Sequence, residues 1–241
     1  MAASLPGYRR LIRVIPESGC VTTLLEDDIH SMALRLSHGG GRVLAIEPGI
    51  DRMPWNTCPG AAAVLIDTFV GLPLTQVTLR RDRKANCTHL HDLAVLAASH
   101  ADDTQELRYD IAVSDPIEGR RDLTLARDGV SVVHWIEQEG ALVSPVEVRG
   151  RTLFALRDWI ASLAPMQAEA ARLLQWAGIV AHGRTIPMGE QSDPTRMPAN
   201  CHTFQPERVP FARRTGAVID FSSARRKPGE TLSRMLSQRT G

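Results

Sequence analysis

The chain has 241 residues, 43% apolar and 23% charged, with a formal net charge of +1, a composition that excludes collagen-like repeats and disorder over most of its length. No apolar run approaches the roughly 20 residues of a membrane span, and the opening MAASLPGYRRLIR has no stretch of secretion-signal length, so a cytoplasmic protein without membrane contact is expected. Residues 185–241 hold nine basic residues against five acidic ones, but no basic run is interleaved with stacking aromatics, and no nucleic-acid partner is expected.

Residues 8–47 read as antiparallel strands: RRLIRVIPE, GCVTTLLED, then IHSMALRLS and RVLAIE around a Gly-Gly-Gly turn at 39–41. Period-two alternation over 29–37 places His30, Met32, Leu34 and Leu36 on one face and Ser31 and Arg35 on the other, so His30 points inward. A short helix is predicted over AAAVLIDTFVG, with Pro59 at its first position, Gly71 past its end and Cys58 at its N-cap. LTQVTLR (74–80) reads as a strand. The next helix begins near Asn86 or Thr88 and carries Leu90, Leu93, Ala94, Leu96 and Ala97 on one face, which puts Cys87 at a helix start as well.

Strands return in QELRYDIAVSD, RDLTLARDG and VSVVHWIEQEG, with a turn at Glu139-Gly140 leading to ALVSP. Two helices follow, about 152–164 and 166–182, separated by Pro165 and ended by Gly183. From Thr185 the pattern breaks. Five prolines fall between 187 and 210, only AVIDFS looks strand-like, and residues 223–241 read as frayed. The expected class is α+β: an antiparallel sheet with helices on one face, then further strands, two helices and an extended C-terminal arm. The expected division is a motif-bearing part (1–103), strands with a helical pair (104–184) and the arm (185–241). Residues 185–222 hold the aromatic and apolar anchors Phe204, Phe211, Val218, Ile219 and Phe221, so they dock on the body or form a homodimer or heteromer contact.

Cys20, Cys58, Cys87 and Cys201 lie far apart with no C-x-x-C, which argues against a disulfide framework or a zinc ribbon. Their settings differ. A cysteine in the first turn of a helix meets unpaired N–H groups that favour its thiolate, and Cys58 and Cys87 both have that setting, whereas Cys20 and Cys201 do not. If both helix starts converge on the strand face bearing His30, the pocket holds two thiols and an imidazole, with His89 two residues from Cys87, a set fit for proton transfer, nucleophilic attack or metal binding. His91, two residues from His89, belongs on another face and reads as a solvent-facing or helix-end residue. Trp55, Thr88 and Arg184 are candidate substrate contacts, although all four tryptophans have core-like spacing and Arg184 also suits a helix cap. Cys201-His202 lies in the Pro-rich arm. A Gly-rich phosphate loop, a G-x-S-x-G elbow and an H-E-x-x-H pair are all missing from the sequence.

IHSMALRL, the Pro54-to-Cys58 segment, LIDTFVGLPL and especially CTHLHDL resemble a bacterial family, domain of unknown function 2889. Its hallmarks are Ile-His-x-Met, Pro-x-x-x-Cys and Gly-Cys-Thr-His-Leu. The resemblance covers about residues 8–101 and departs at Asn86, where the family has Gly. It implies that His30, Cys58, Cys87 and His89 belong together. The order of Cys58, Gly71 and Cys87 is also similar to that in NifU-like iron–sulfur scaffolds, which implies a related fold and no function. The expected function is a catabolic enzyme without an organic cofactor, performing lyase or hydratase acid–base chemistry on a small apolar or aromatic metabolite. His30 or His89 would move the proton, and Cys87 would act as acid, nucleophile or oxyanion partner beside Cys58. The alternatives are a zinc, iron or iron–sulfur site on His30, Cys58, Cys87 and His89, and a non-catalytic subunit with a partner-clasping arm.

Overall fold

The structure, a computed structural model, describes residues 5–80, 84–185, 193–223 and 227–229. These residues fall into two units that interleave along the chain. One, which bears the motifs, takes described residues of 12–107, 193–219 and 229; the other takes those of 5–11, 108–185, 220–223 and 227–228.

The motif-bearing unit is built on strands β1 (Gly7–Glu17, from Ile12 onward), β2 (Cys20–Asp27), β3 (Ser31–Gly39) and β4 (Arg42–Arg52), in the order β4-β3-β2-β1. The alternation predicted for 29–37 sets the β2–β3 register: Val21 faces Leu36, Thr23 faces Leu34 and Leu25 faces Met32, in an antiparallel ladder. Met32, Leu34 and Leu36 are buried and Arg35 is exposed, as expected, whereas Ser31, expected on the same outer face as Arg35, is fully buried. Gly40 and Gly41 turn the β3–β4 hairpin with φ of 56° and 71°, a conformation in which a Cβ is strained.

Three helices follow: α1 (Ala61–Phe69), α2 (Leu74–Leu79) and α3 (Thr88–Ser99). Cys58–Gly60 forms a separate 3-10 turn before α1, so Pro59 lies in that turn and not at the first position of α1. The strand predicted over 74–80 is corrected to α2. Val77 and Leu79 stand two apart, as in a strand, but Leu74 and Val77 stand three apart, as in a helix turn, and Pro73 accepts the amides of Gln76 and Val77 at 2.9 and 3.2 Å. α3 rests on the β2–β3 hairpin, where the Thr23 hydroxyl donates to the Leu93 carbonyl at 3.1 Å.

The described arm residues of this unit hold 3-10 turns at Pro194–Arg196, His202–Phe204 and Val209–Phe211. Four backbone bonds dock the arm on its own unit. The His202 amide donates to Asn86 at 2.9 Å, Asn56 to Arg213 at 3.0 Å, Thr215 to Pro54 at 3.0 Å and Ile219 to Asp28 at 2.8 Å. The expected strand AVIDFS does not form, because the Ile219 bond goes to a bend residue instead of a strand ladder; a 3-10 turn at Phe221–Ser223 takes its end. Of the segment read as frayed, 224–226 and 230–241 lie outside the described residues.

The other unit joins Gly7–Leu11 of β1 to β5 (Leu107–Ser114), β6 (Arg120–Arg127), β7 (Val130–Gln138) and β8 (Ala141–Ser144) in the order β1-β5-β6-β7-β8. β5 pairs antiparallel with β6, β6 with β7 and β7 with β8, and Glu139-Gly140 turns β7 into β8 with positive φ at both residues. The predicted 152–164 helix reduces to a 3-10 turn (Leu153–Ala155) and the five-residue α4 (Arg157–Ala161). Pro165, expected as a separator, opens α5 (Pro165–His182), where a missing N–H costs nothing. α5 approaches β6 at Gly178, where an added Cβ would lie 2.7 Å from a Leu123 methyl and 2.8 Å from one of Leu153. Both units together give the expected α+β class. Among the described residues no helix is long and apolar enough to cross a membrane.

Candidate functional site

β2 ends in the acidic run Glu26-Asp27-Asp28, all fully buried. Arg52 at the end of β4 meets this charge: one guanidinium nitrogen lies 2.7 Å from the Asp27 carbonyl, 3.3 Å from that of His30 and 3.4 Å from the Glu26 carboxylate. The link to β3 is a side-chain turn. Asp27 Oδ1 accepts the amides of Ile29 and His30 at 2.8 and 2.7 Å, and the Asp27 amide donates to the His30 carbonyl at 2.8 Å. The same carboxylate faces His30 Nδ1 at 3.1 Å through Oδ1 and 3.3 Å through Oδ2. Backbone and carboxylate thus fix the imidazole, which is buried and points inward as the alternation predicts.

His89, in the first turn of α3, lays its ring on His30 with centroids 3.9 Å apart and planes tilted by 33°. One ligand-type atom from each of Asp27, His30 and His89 lies within 4.8 Å of the others. The constellation can do two things. It can hold a proton on an oriented imidazole, because a carboxylate bonded to one ring nitrogen sets the tautomer and basicity of the other; or it can present imidazole to a cation with the carboxylate behind it. Asp27 was not among the sequence candidates. The available signal was the acidic residue three before His30 at a strand end, the signature of a side-chain turn.

His91 overturns its expectation. It is fully buried, its ring lies 5.1 Å from that of Phe69, and neither of its ring nitrogens has a hydrogen-bond partner among the described residues. The nearest carboxylate, that of Asp92, stands 3.8 Å from Nδ1, beyond hydrogen-bond reach. His91 falls on the face of α3 that also buries Leu90 and Ala94, while His89 takes the half-buried side.

Cys87 is the N-cap residue of α3, as its position suggested. The expected thiolate activation is corrected, however. Burial pushes the Cys87 thiol up to about 12, against the opposing pull of the Leu90 and His89 amides, and burial likewise raises Cys58 despite its contact with Thr203. Desolvation of a charge outweighs a few peptide dipoles. Cys201 joins them. Its thiol is raised by burial first and then by the field of Cys58, while Cys87 feels both Cys58 and Cys201. Spacing alone assigned Cys201 no such role, since only the docked arm brings it here.

Trp55 is buried in a cluster with Cys58 and Ala212; its ring meets Phe204 edge-on at 5.7 Å and has the Arg214 guanidinium over it at 5.8 Å. Thr88, the first residue of α3, is half-buried beside Cys87 and His89. Arg184 belongs to the other unit, where its guanidinium pairs with Asp115 at 2.9 Å and Asp220 at 3.1 Å. Those two carboxylates already answer its charge.

Residues 16–102 match the family model described as "Protein of unknown function (DUF2889)", a segment that contains His30, Cys58, Cys87 and His89 and ends before Cys201. No curated protein matches the chain.

Proposed function

We propose that the DUF2889 domain carried by residues 16–102 is the centre of an acid–base enzyme acting on a small apolar or aromatic metabolite, in a lyase or hydratase step. The observation behind this reading is the Asp27–His30 contact, with His89 stacked on the same ring. Asp27 engages Nδ1, which leaves Nε2 of His30 as the nitrogen that takes or gives a proton, and His89 is its partner. Cys58 and Cys87, held neutral by burial, are not nucleophiles in this scheme.

A lyase or hydratase that removes a proton from carbon also exchanges it with solvent. The test is a panel of small aromatic and aliphatic hydroxy acids and 2-enoic acids in D2O, followed by proton NMR. The expected result is catalysed loss of one C–H signal, slowed by about 10²–10⁴-fold in His30→Gln. Exchange that is unchanged in this variant, or no exchange with any member of the panel, contradicts the reading.

A second reading, a metal ion on His30 and His89 with Asp27 behind them, is favoured by the 4.8 Å grouping of their ligand atoms. About one zinc or iron per chain, lost in His30→Ala, would favour it over proton transfer by the free imidazole.

A further inference from the structure

The docked arm carries an arginine with two buried nitrogens and no carboxylate to answer them among the described residues. Arg214 forms an isolated antiparallel bridge with Trp55 that is fastened on both sides: the Asn56 amide donates to the Arg213 carbonyl and the Thr215 amide to that of Pro54, each at 3.0 Å. The Asn56 carboxamide oxygen accepts the Arg213 amide at 2.7 Å, which completes the attachment. This backbone seat sets the half-buried Arg214 side chain over the Trp55 face, with the guanidinium carbon 5.8 Å from the ring centre. Its Nε and Nη2 are shut off from solvent and have no hydrogen-bond partner among the described residues. Other arginines drawn into the protein are paired: Arg52 with Glu26 and Arg121 with Glu137 at 3.4 Å each, and Arg184 with Asp115 at 2.9 Å. Burial alone holds the Arg214 guanidinium below its ordinary value, with no charged neighbour among the described residues acting the other way.

Nε–H and one Nη2–H lie on the same edge of the planar guanidinium, parallel and spaced to meet both oxygens of a carboxylate. A phosphate fits the same edge, but a single cation in apolar surroundings neutralises one negative charge and leaves a second uncompensated. The surroundings are apolar here: Trp55 packs with Cys58 and Ala212, and Met53 and Phe204 close on that cluster, the Phe204 ring edge-on to Trp55 at 5.7 Å. The seat belongs to the same unit as the histidine centre. Arg52, which holds the Asp27 and His30 carbonyls, stands three residues before Trp55, so their Cα atoms are at most about 11 Å apart. Five residues past Arg214, the Ile219 amide donates to the Asp28 carbonyl at 2.8 Å.

We propose that Arg214 and Trp55 bind a small aromatic acid, with its carboxylate held side-on by Nε and Nη2 and its ring against Trp55 and Phe204. Only the step of making this acid the substrate rests on the acid–base reading; the binding does not. The ligand enters as the half-buried side chain swings off the Trp55 face, and the guanidinium closes over the carboxylate, so that a buried unpaired cation becomes a buried ion pair. The arm thereby supplies a specificity-determining residue from outside the 16–102 segment that the family model matches.

The experiment is a calorimetric titration of the full-length protein with benzoate, benzamide and phenyl phosphate. Benzoate is expected to saturate at one equivalent and to bind at least about tenfold more tightly than benzamide, the scale of a charge-assisted pair over a neutral one. Phenyl phosphate, with its second charge, binds more weakly than benzoate. Arg214→Met removes the charge but keeps a long apolar side chain on Trp55, so it loses the preference for benzoate over benzamide and unfolds at a temperature equal to or above that of the wild type. Arg214→Lys keeps the charge without the fork and binds benzoate about tenfold more weakly. No benzoate binding by the wild type, equal binding of benzoate and benzamide, tighter binding of phenyl phosphate, or a wild-type preference in Arg214→Met overturns the proposal. Benzoate binding that depends on Arg214, in a protein that exchanges no C–H proton of any acid, removes the acid–base reading and leaves this site standing; exchange in a protein that ignores benzoate does the reverse.

Discussion

Replacing Asp27 by asparagine probes the orientation of His30 with almost no change in volume. The carboxamide oxygen of Asp27→Asn retains the amides of Ile29 and His30, but as neutral hydrogen bonds in place of charge-assisted ones, and each substitution of this kind costs about 1 kcal/mol. The retained oxygen, 3.1 Å from His30 Nδ1, still accepts from the ring but as a neutral bond, while the second oxygen, 3.3 Å away, becomes an NH2 that can only donate, so the ring bond weakens by about 1 kcal/mol more. The total is on the order of 3 kcal/mol. Urea unfolding measures the stability loss, and long-range proton–nitrogen NMR checks that the ring proton stays on Nδ1 in both proteins. A variant within about 1 kcal/mol of wild type, or one whose ring proton moves to Nε2, refutes the reasoning.

Other perturbations test the surroundings. Gly216→Ala drives a Cβ to 2.1 Å from the Met53 carbonyl, so the arm backs away at a cost of about 1–3 kcal/mol, and limited proteolysis should cut 193–219 faster than in wild type. Glu137, beside Arg121 and His182 at 3.4 Å each, is pushed up by burial but pulled further down by its contacts with those two side chains, to below the usual carboxylate range. Its folded value therefore lies under its unfolded one, so its stabilisation is complete above the ordinary carboxylate value of about 4.3 and fades as pH falls through the folded value. Glu137→Gln should cost about 3–5 kcal/mol at neutral pH by stranding Arg121, and should flatten the acid limb of stability followed by thermal unfolding. His91→Leu replaces a fully buried imidazole with no hydrogen-bond partner among the described residues by an apolar side chain of similar bulk, so thermal unfolding should show equal or higher stability, and a marked loss would reveal a polar role for that ring.

The hairpins were legible because half-buried strands repeat every two residues: Met32, Leu34 and Leu36 announced both the face of β3 and the inward direction of His30. LTQVTLR misled because a short segment with apolar residues both two apart (Val77, Leu79) and three apart (Leu74, Val77) satisfies either period, and Pro73 decided for the helix. At the site, the motifs located His30, His89, Cys58 and Cys87 within one unit. The local setting of the thiols was misread because a helix start is visible in sequence and desolvation is not: at Cys58, burial depends on Phe204 and Ala212, which arrive from a distant segment. Cys201 was invisible for the same reason, since its relation to Cys87 rests on a backbone bond between residues 86 and 202. His91 shows the limit of reasoning from spacing. Two residues apart on a helix do face different ways, but which way is core depends on Phe69 of α1.

The central claim is that Asp27 and His30 act as one proton-moving unit, and a double-mutant cycle on the solvent-exchange rate tests it most directly. If they act together, Asp27→Asn/His30→Gln is no slower than His30→Gln alone, because the carboxylate has nothing left to orient. If the two losses multiply, the carboxylate and the imidazole work independently and the account is wrong.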